Sequence, residues 1–211
     1  MGELQGSAVR FTGLSDDVDR PAIDAFLSAV DSAMNSNTLL LKVATDVPVT
    51  AENQRHVLHA YLRSGLFEEM MLAADRQRDW DNLSVAEEFG GLPNERPLIR
   101  EGFLATTSPL RYAEFLARLR WMLCEAFSPY GDHRSPAHAE ELIRDFVHEL
   151  LGQDGSAWSF ASVKPDFLRS TGYYSGEEPL PPVYFHGSDS DTATFIHRGP
   201  VCYLLLTNGS P

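Results

Sequence analysis

A chain of 211 residues, 43% of them hydrophobic, is long enough to bury one sizeable core, and a single domain is expected over 1–211. Thirty acidic residues against seventeen basic ones give a formal charge of −13, a field that repels phosphate backbones and anionic lipid, so neither nucleic acid nor membrane is an expected partner. No window approaches the ~18 apolar residues of a spanning helix, and "MGELQGSAVRFTG" lacks the basic flank and apolar run of a leader, so a soluble, unprocessed chain is expected.

Taken in chain order, Asp19 as N-cap and Pro21 in the first turn open a helix over 20–37, with Ile23, Phe26, Leu27, Val30 and Met34 on one face. "TLLLKVA", Thr38 to Ala44, reads as a short buried strand. From Thr50 a helical pattern carries Val57, Leu58, Tyr61, Leu62, Phe67, Met70 and Met71, with a bend or break at Ser64-Gly65. The stretch 84–107 has no period, contains Gly-Gly and two prolines, and is a candidate lid. Ser108-Pro109 is expected to start a helix with the stripe Tyr112, Leu116, Leu119, Leu123 and Phe127. Ser135-Pro136 starts another, with Leu142, Ile143, Phe146, Val147 and Leu150 inward and Gly152 at its stop.

After Gly155 the pattern turns to β runs: "WSFASVK", "VYF", "TATFIH" and "VCYLLLT". The last is apolar on both faces and is expected to be a central, doubly covered strand. The fold class is therefore α+β, an N-terminal helical layer (1–155) packed on a C-terminal antiparallel β-meander (156–211).

Cys124 and Cys202 both lie in apolar surroundings and read as buried free thiols, which suits a reducing cytoplasm. The arginine bias, with Lys42 and Lys164 the only lysines, hints at a bacterial origin.

The segment "VYFHGSDSDTATFIHRG" concentrates titratable groups, and its strand register decides what they can do. Pairing His186 with Thr192 across a five-residue loop places Val183, Phe185, Ala193, Phe195 and His197 on one face. It leaves Tyr184, His186, Thr192, Thr194 and Ile196 on the other. A four-residue loop would gather His186, Asp191 and His197 but split the apolar set, and misplacing one large side chain costs about 1.5–3 kcal/mol. The first register is therefore expected, with the loop aspartates as turn formers and too few ligands for calcium.

Other spacings carry weaker chemistry. Asp145 and His148 stand three apart with His138 and Glu141 on roughly the same face, but the second copy that a carboxylate-bridged metal bundle needs is missing. His56 and His59 fit a solvated helix face. No Walker loop, GxGxxG, GxSxG or HExxH string is present, so no cofactor is identified.

The leading expectation is a protein that binds or transforms a small organic molecule in a pocket between helices and sheet. His197 and His186 would be the acid–base groups, and Tyr173, Tyr174, Tyr184, Arg198, Phe89 and Phe103 would line the ligand. The competing expectation is an immunity-type inhibitor that offers an acidic surface to a basic protein partner.

Overall fold

The computed structural model describes residues 9–78, 99, 102–126, 128–132, 134–168, 184–185 and 189–209. In chain order they form β1 (Phe11–Gly13), a 3-10 turn (Ser15–Val18), α1 (Pro21–Met34), β2 (Asn37–Val49), α2 (Gln54–Leu62) and α3 (Gly65–Gln77). Then come β3 (Thr107–Leu110), α4 (Tyr112–Cys124), α5 (Pro136–Leu151), β4 (Ser159–Val163) and β5 (Thr192–Asn208). The fold is α+β. The sheet is antiparallel throughout, in the order β1-β2-β5-β4-β3.

β5 is an extended run that doubles back at Gly199, where φ is +56°, and Pro200. Its first arm pairs with β4 (Ser159↔His197 to Val163↔Ala193), and its second arm pairs with β2 (Asn37↔Asn208 to Ala44↔Val201). Ser190 and Gly209, which bracket the run, are in contact, since a Cβ on Gly209 would fall 1.9 Å from Ser190 Cβ. A straight run between them would hold them roughly 60 Å apart. "TATFIH" and "VCYLLLT" are thus the two arms of one ribbon at the centre of the sheet.

Side-chain alternation sorts the sheet into two buried faces. Leu39, Leu41, Val43, Ala161, Val163, Phe195, Cys202 and Leu204 pack with Val57, Leu58, Tyr61, Phe67 and Met71 of α2 and α3. Leu40, Phe160, Ile196, Tyr203 and Leu205 pack with α1, α4 and α5, where Phe26 stacks on Phe146 at 4.2 Å and Phe115 on Phe160 at 4.7 Å. The helical cover is therefore two layers, one on each face, and β2 from the N-terminal third supplies half of the sheet's centre.

Several local expectations hold. Ser64 Oγ accepts the Phe67 N–H and splits α2 from α3, and Ser135 caps α5, which ends at Gly152 with φ +73°. Others are corrected. Ser108-Pro109 lies in β3, an edge strand where proline's missing donor costs nothing. α4 starts at Tyr112 behind a capping box in which Glu114 accepts the Arg111 N–H at 2.7 Å. The α1 N-cap is Arg20, which offers no side-chain acceptor, rather than Asp19.

Candidate functional site

Of the residues singled out from the sequence, the structure describes His197, Tyr184, Arg198 and Phe103. Tyr173, Tyr174, His186 and Phe89, with most of the candidate lid, lie outside the described residues. Arg198 is exposed. Phe103 is buried with its ring 5.1 Å from that of His59, and Arg55 Nε donates to the Ala105 carbonyl beside it at 2.9 Å.

His197 shares a face with Phe195, as alternation along a single strand requires, its ring 5.5 Å from the phenyl ring. It is 2% exposed, and an imidazole nitrogen meets Gln54 Oε1 at 3.1 Å. Burial lowers its pKa from the ordinary 6.5, while a hydrogen bond with the Val49 backbone acts in the opposite sense. At neutral pH it is uncharged.

Among the described residues, Tyr184 and Phe185 are not register partners of "TATFIH" as the expected hairpin required, because the first arm of β5 has β4 on one edge and the second arm on the other. Tyr184 and Phe185 both join the α2–α3 core, rings 5.0 Å apart, rather than facing opposite sides. The Tyr184 hydroxyl donates to the Asn37 carbonyl, and the Asp191 carboxylate raises the Tyr184 pKa further after burial and Asp31. Asp191 lies six residues along the first arm from His197, roughly 20 Å, so Tyr184 and His197 belong to different ends of the sheet.

At the Tyr184 end stands a buried polar cluster that sequence spacing does not reveal. Beyond β1 no strand among the described residues covers the outer edge of β2, and there the Asp31 carboxylate of α1 takes over. It accepts the Thr38 N–H at 2.7 Å and the Ser36 hydroxyl at 3.2 Å, and its other oxygen pairs with Arg78 from the end of α3. Burial pushes the Asp31 carboxyl up, opposed by Arg78 and Thr38. Next to it, Asn37 Nδ2 donates to Asp75 at 2.9 Å, and Asn208 Nδ2 donates to the Tyr184 carbonyl at 2.9 Å. Asp75 is 0% exposed. The signal that could have found these residues is the acid on an apolar face: Asp31 sits within the buried stripe of α1 and Asp75 within that of α3.

Two open grooves follow one another along α3 beside the Ser15–Val18 turn. The first, ≈ 500 Å³, is lined by Asp16, Asp17 and Glu69 among apolar residues. The second, ≈ 360 Å³, carries Asp19, Asp24, Gln77 and Arg78 over Leu39 and Leu40. Two basic groups on this flank are tied down. Arg78 is held by Asp31, and Lys42 by Asp17 at 2.7 Å. Burial and then Asp19 hold the Asp24 carboxyl above its usual range, with Arg78 acting in the opposite sense. Neither groove reaches His197.

Asp145 and His148 lie on the solvated face of α5, Asp145 with Arg144 at 3.0 Å, and no group of three metal-ligating side chains exists among the described residues. No helix among those residues is long and apolar enough to cross a membrane. Compared with known families, curated proteins and solved structures, the chain matches none.

Proposed function

We propose that the protein is an acidic interaction protein of the immunity type, which engages a basic protein partner through the two grooves along α3. The observation that supports this reading is the set of carboxylates Asp16, Asp19, Asp24 and Glu69 lining consecutive grooves whose neighbouring cations, Lys42 and Arg78, are already neutralised. Arg20, the α1 N-cap, offsets part of this charge, since after Lys42 it too lowers the Asp17 pKa. A net charge of −13 would steer a cationic partner toward the molecule from a distance, and the grooves would fix where it lands.

The test is calorimetric titration with an oligo-lysine peptide. The triple variant Asp19→Asn/Asp24→Asn/Glu69→Gln is compared with Glu141→Gln/Asp145→Asn/Glu149→Gln on the outer face of α5, which changes the charge by the same amount. Groove-specific docking requires the first set to weaken binding at least about tenfold and the second to leave it nearly unchanged. Equal losses from both sets would reduce the attraction to net charge and end this reading.

A second reading, a small-molecule binder or enzyme using His197, is favoured by one observation. Burial keeps that imidazole neutral, the form in which a general base works. It stands second because Gln54 and the Val49 backbone already occupy the ring. A His197→Gln variant with unaltered ligand binding would remove it.

A further inference from the structure

At the edge of the sheet opposite the acidic grooves, three hydroxyl residues stand in one row across three strands. Ser108 of β3 is the register partner of Ser162 in β4, and Ser162 is the register partner of Thr194 in the first arm of β5. Directly paired residues share a face with Cβ atoms about 4.5–5.5 Å apart. The row therefore runs on the α4 side from exposed Ser108, through half-buried Ser162, to Thr194, which is fully buried.

Arg118 of α4 lies across this row. Its guanidinium donates to Thr194 Oγ1 at 2.9 Å, to Ser162 Oγ at 2.9 Å and to the Ala193 carbonyl at 3.4 Å. α4 runs alongside β4 here. Phe115, one turn before Arg118, stacks on Phe160, two residues before Ser162, and that packing fixes where the guanidinium falls.

Arg118 is half-buried, yet no carboxylate among the described residues pairs with it. Glu114, one turn back on the same helix, is bonded to Arg111 at 2.6 Å, and Lys164 beyond the end of β4 is bonded to Asp166 at 2.7 Å. A partly desolvated cation without an anion is unusual in a chain so rich in acid, because burying an unpaired charge is costly. Desolvation accordingly lowers the Arg118 pKa, with no opposing acid.

The hydroxyls that accept from Arg118 keep their own protons to donate. Thr192, two residues before Thr194 on the same face, also has its hydroxyl buried without a partner among the described residues. The place thus offers a guanidinium, a row of O–H donors and, at Ser108, a hydroxyl exposed to solvent.

We propose that Arg118, Ser108, Ser162 and Thr194 form a binding site for the oxyanion of a small molecule, a phosphate or carboxylate group entering over β3. A guanidinium fork flanked by hydroxyl donors suits an oxyanion with several acceptor oxygens. The field of the whole chain opposes anions, so recognition rests on these short contacts.

The experiment is calorimetric titration of the full chain with inorganic phosphate, and separately with acetate, at ionic strength matched with sodium chloride. Saturable binding is expected, at least about tenfold weaker in Arg118→Gln, since hydrogen bonds to a charged group contribute about 1.5–3 kcal/mol. Ser108→Ala lies on the exposed edge, where it leaves the fold intact, and is expected to weaken binding severalfold. It carries the test should Arg118→Gln fail to fold by circular dichroism. Tighter phosphate assigns a phosphoryl group, and acetate as tight or tighter assigns a carboxylate. No saturable binding of either anion, or equal binding by the unmodified protein and Ser108→Ala together with any folded Arg118 variant, overturns the proposal.

Discussion

Asn37 and Asn208, the first residue of β2 and the last of β5, are register partners joined a second time through a side chain, because Asn208 Oδ1 accepts the Asn37 N–H. The same Asn208 amide donates to the Tyr184 carbonyl, so one buried side chain ties β2, β5 and the chain before β5 together. Replacing it leaves an N–H and a C=O buried without partners, each costing about 1–3 kcal/mol. Asn208→Ala is expected to lose about 2–4 kcal/mol in urea unfolding. Tyr184→Phe, which removes the donor to the Asn37 carbonyl and the acceptor of a Leu39 backbone hydrogen bond, is expected to lose about 1–3 kcal/mol.

His197 makes stability depend on pH. Its folded pKa lies below the unfolded 6.5, so below that pH the unfolded chain takes up the proton more readily than the folded one. The contribution of the neutral, buried ring is full above about 6.5 and is lost as pH falls through the lower folded value. His59 is shifted in the same direction. Denaturation midpoints measured from pH 8 down to about 5 are expected to fall, and His197→Gln is expected to flatten that slope.

The two thiols differ in reach. Burial pushes Cys202, on the α2–α3 face of β5, up to about 12, whereas Cys124 at the end of α4 is half-buried and raised by burial and by Glu140. The thiolate is the reactive form, so an aromatic disulfide reagent is expected to modify Cys124 first and Cys202 only on unfolding. Cys124→Ser should abolish the native-state phase. Rapid native reaction in that variant would contradict the burial of Cys202.

Gly131 holds the loop after α4 against the last turn of α1. Around it the Ser128 N–H donates to the Ala33 carbonyl at 3.2 Å and the Asp132 N–H to the Ser32 carbonyl at 2.8 Å. A Cβ on Gly131 would fall 1.9 Å from the Ala33 oxygen, a backbone atom with no rotamer to escape by. Gly131→Ala is expected to destabilise by about 2 kcal/mol or more. Gly65→Ala, with nothing within 4 Å, is expected to be neutral or to stabilise by up to ~1 kcal/mol. Thermal unfolding of the two variants side by side checks both.

Helix stripes, caps and strand alternation are properties of neighbours a few residues apart, and the sequence by itself determined them. The faces of α1 and α5, the break at Ser64, the doubly buried "VCYLLLT" and the inward side of the first β5 arm all follow from that short range. The α+β class follows in turn. Ser108-Pro109 misleads because a Ser-Pro pair suits a helix start and a solvent-facing edge strand alike, and only the presence of β4 alongside decides between them.

Tertiary structure alone decided which polar groups meet. Asp31 and Arg78 are 47 residues apart and Arg118 and Thr194 are 76 apart. The first pair forms where, among the described residues, the edge of β2 beyond β1 has no strand, and the second where α4 lies across β4 and β5. Hydrophobic burial is non-directional and repeats along the chain, so periodicity discloses it. A buried polar partner is instead whatever the folded neighbour presents at hydrogen-bond distance, and no local pattern encodes that.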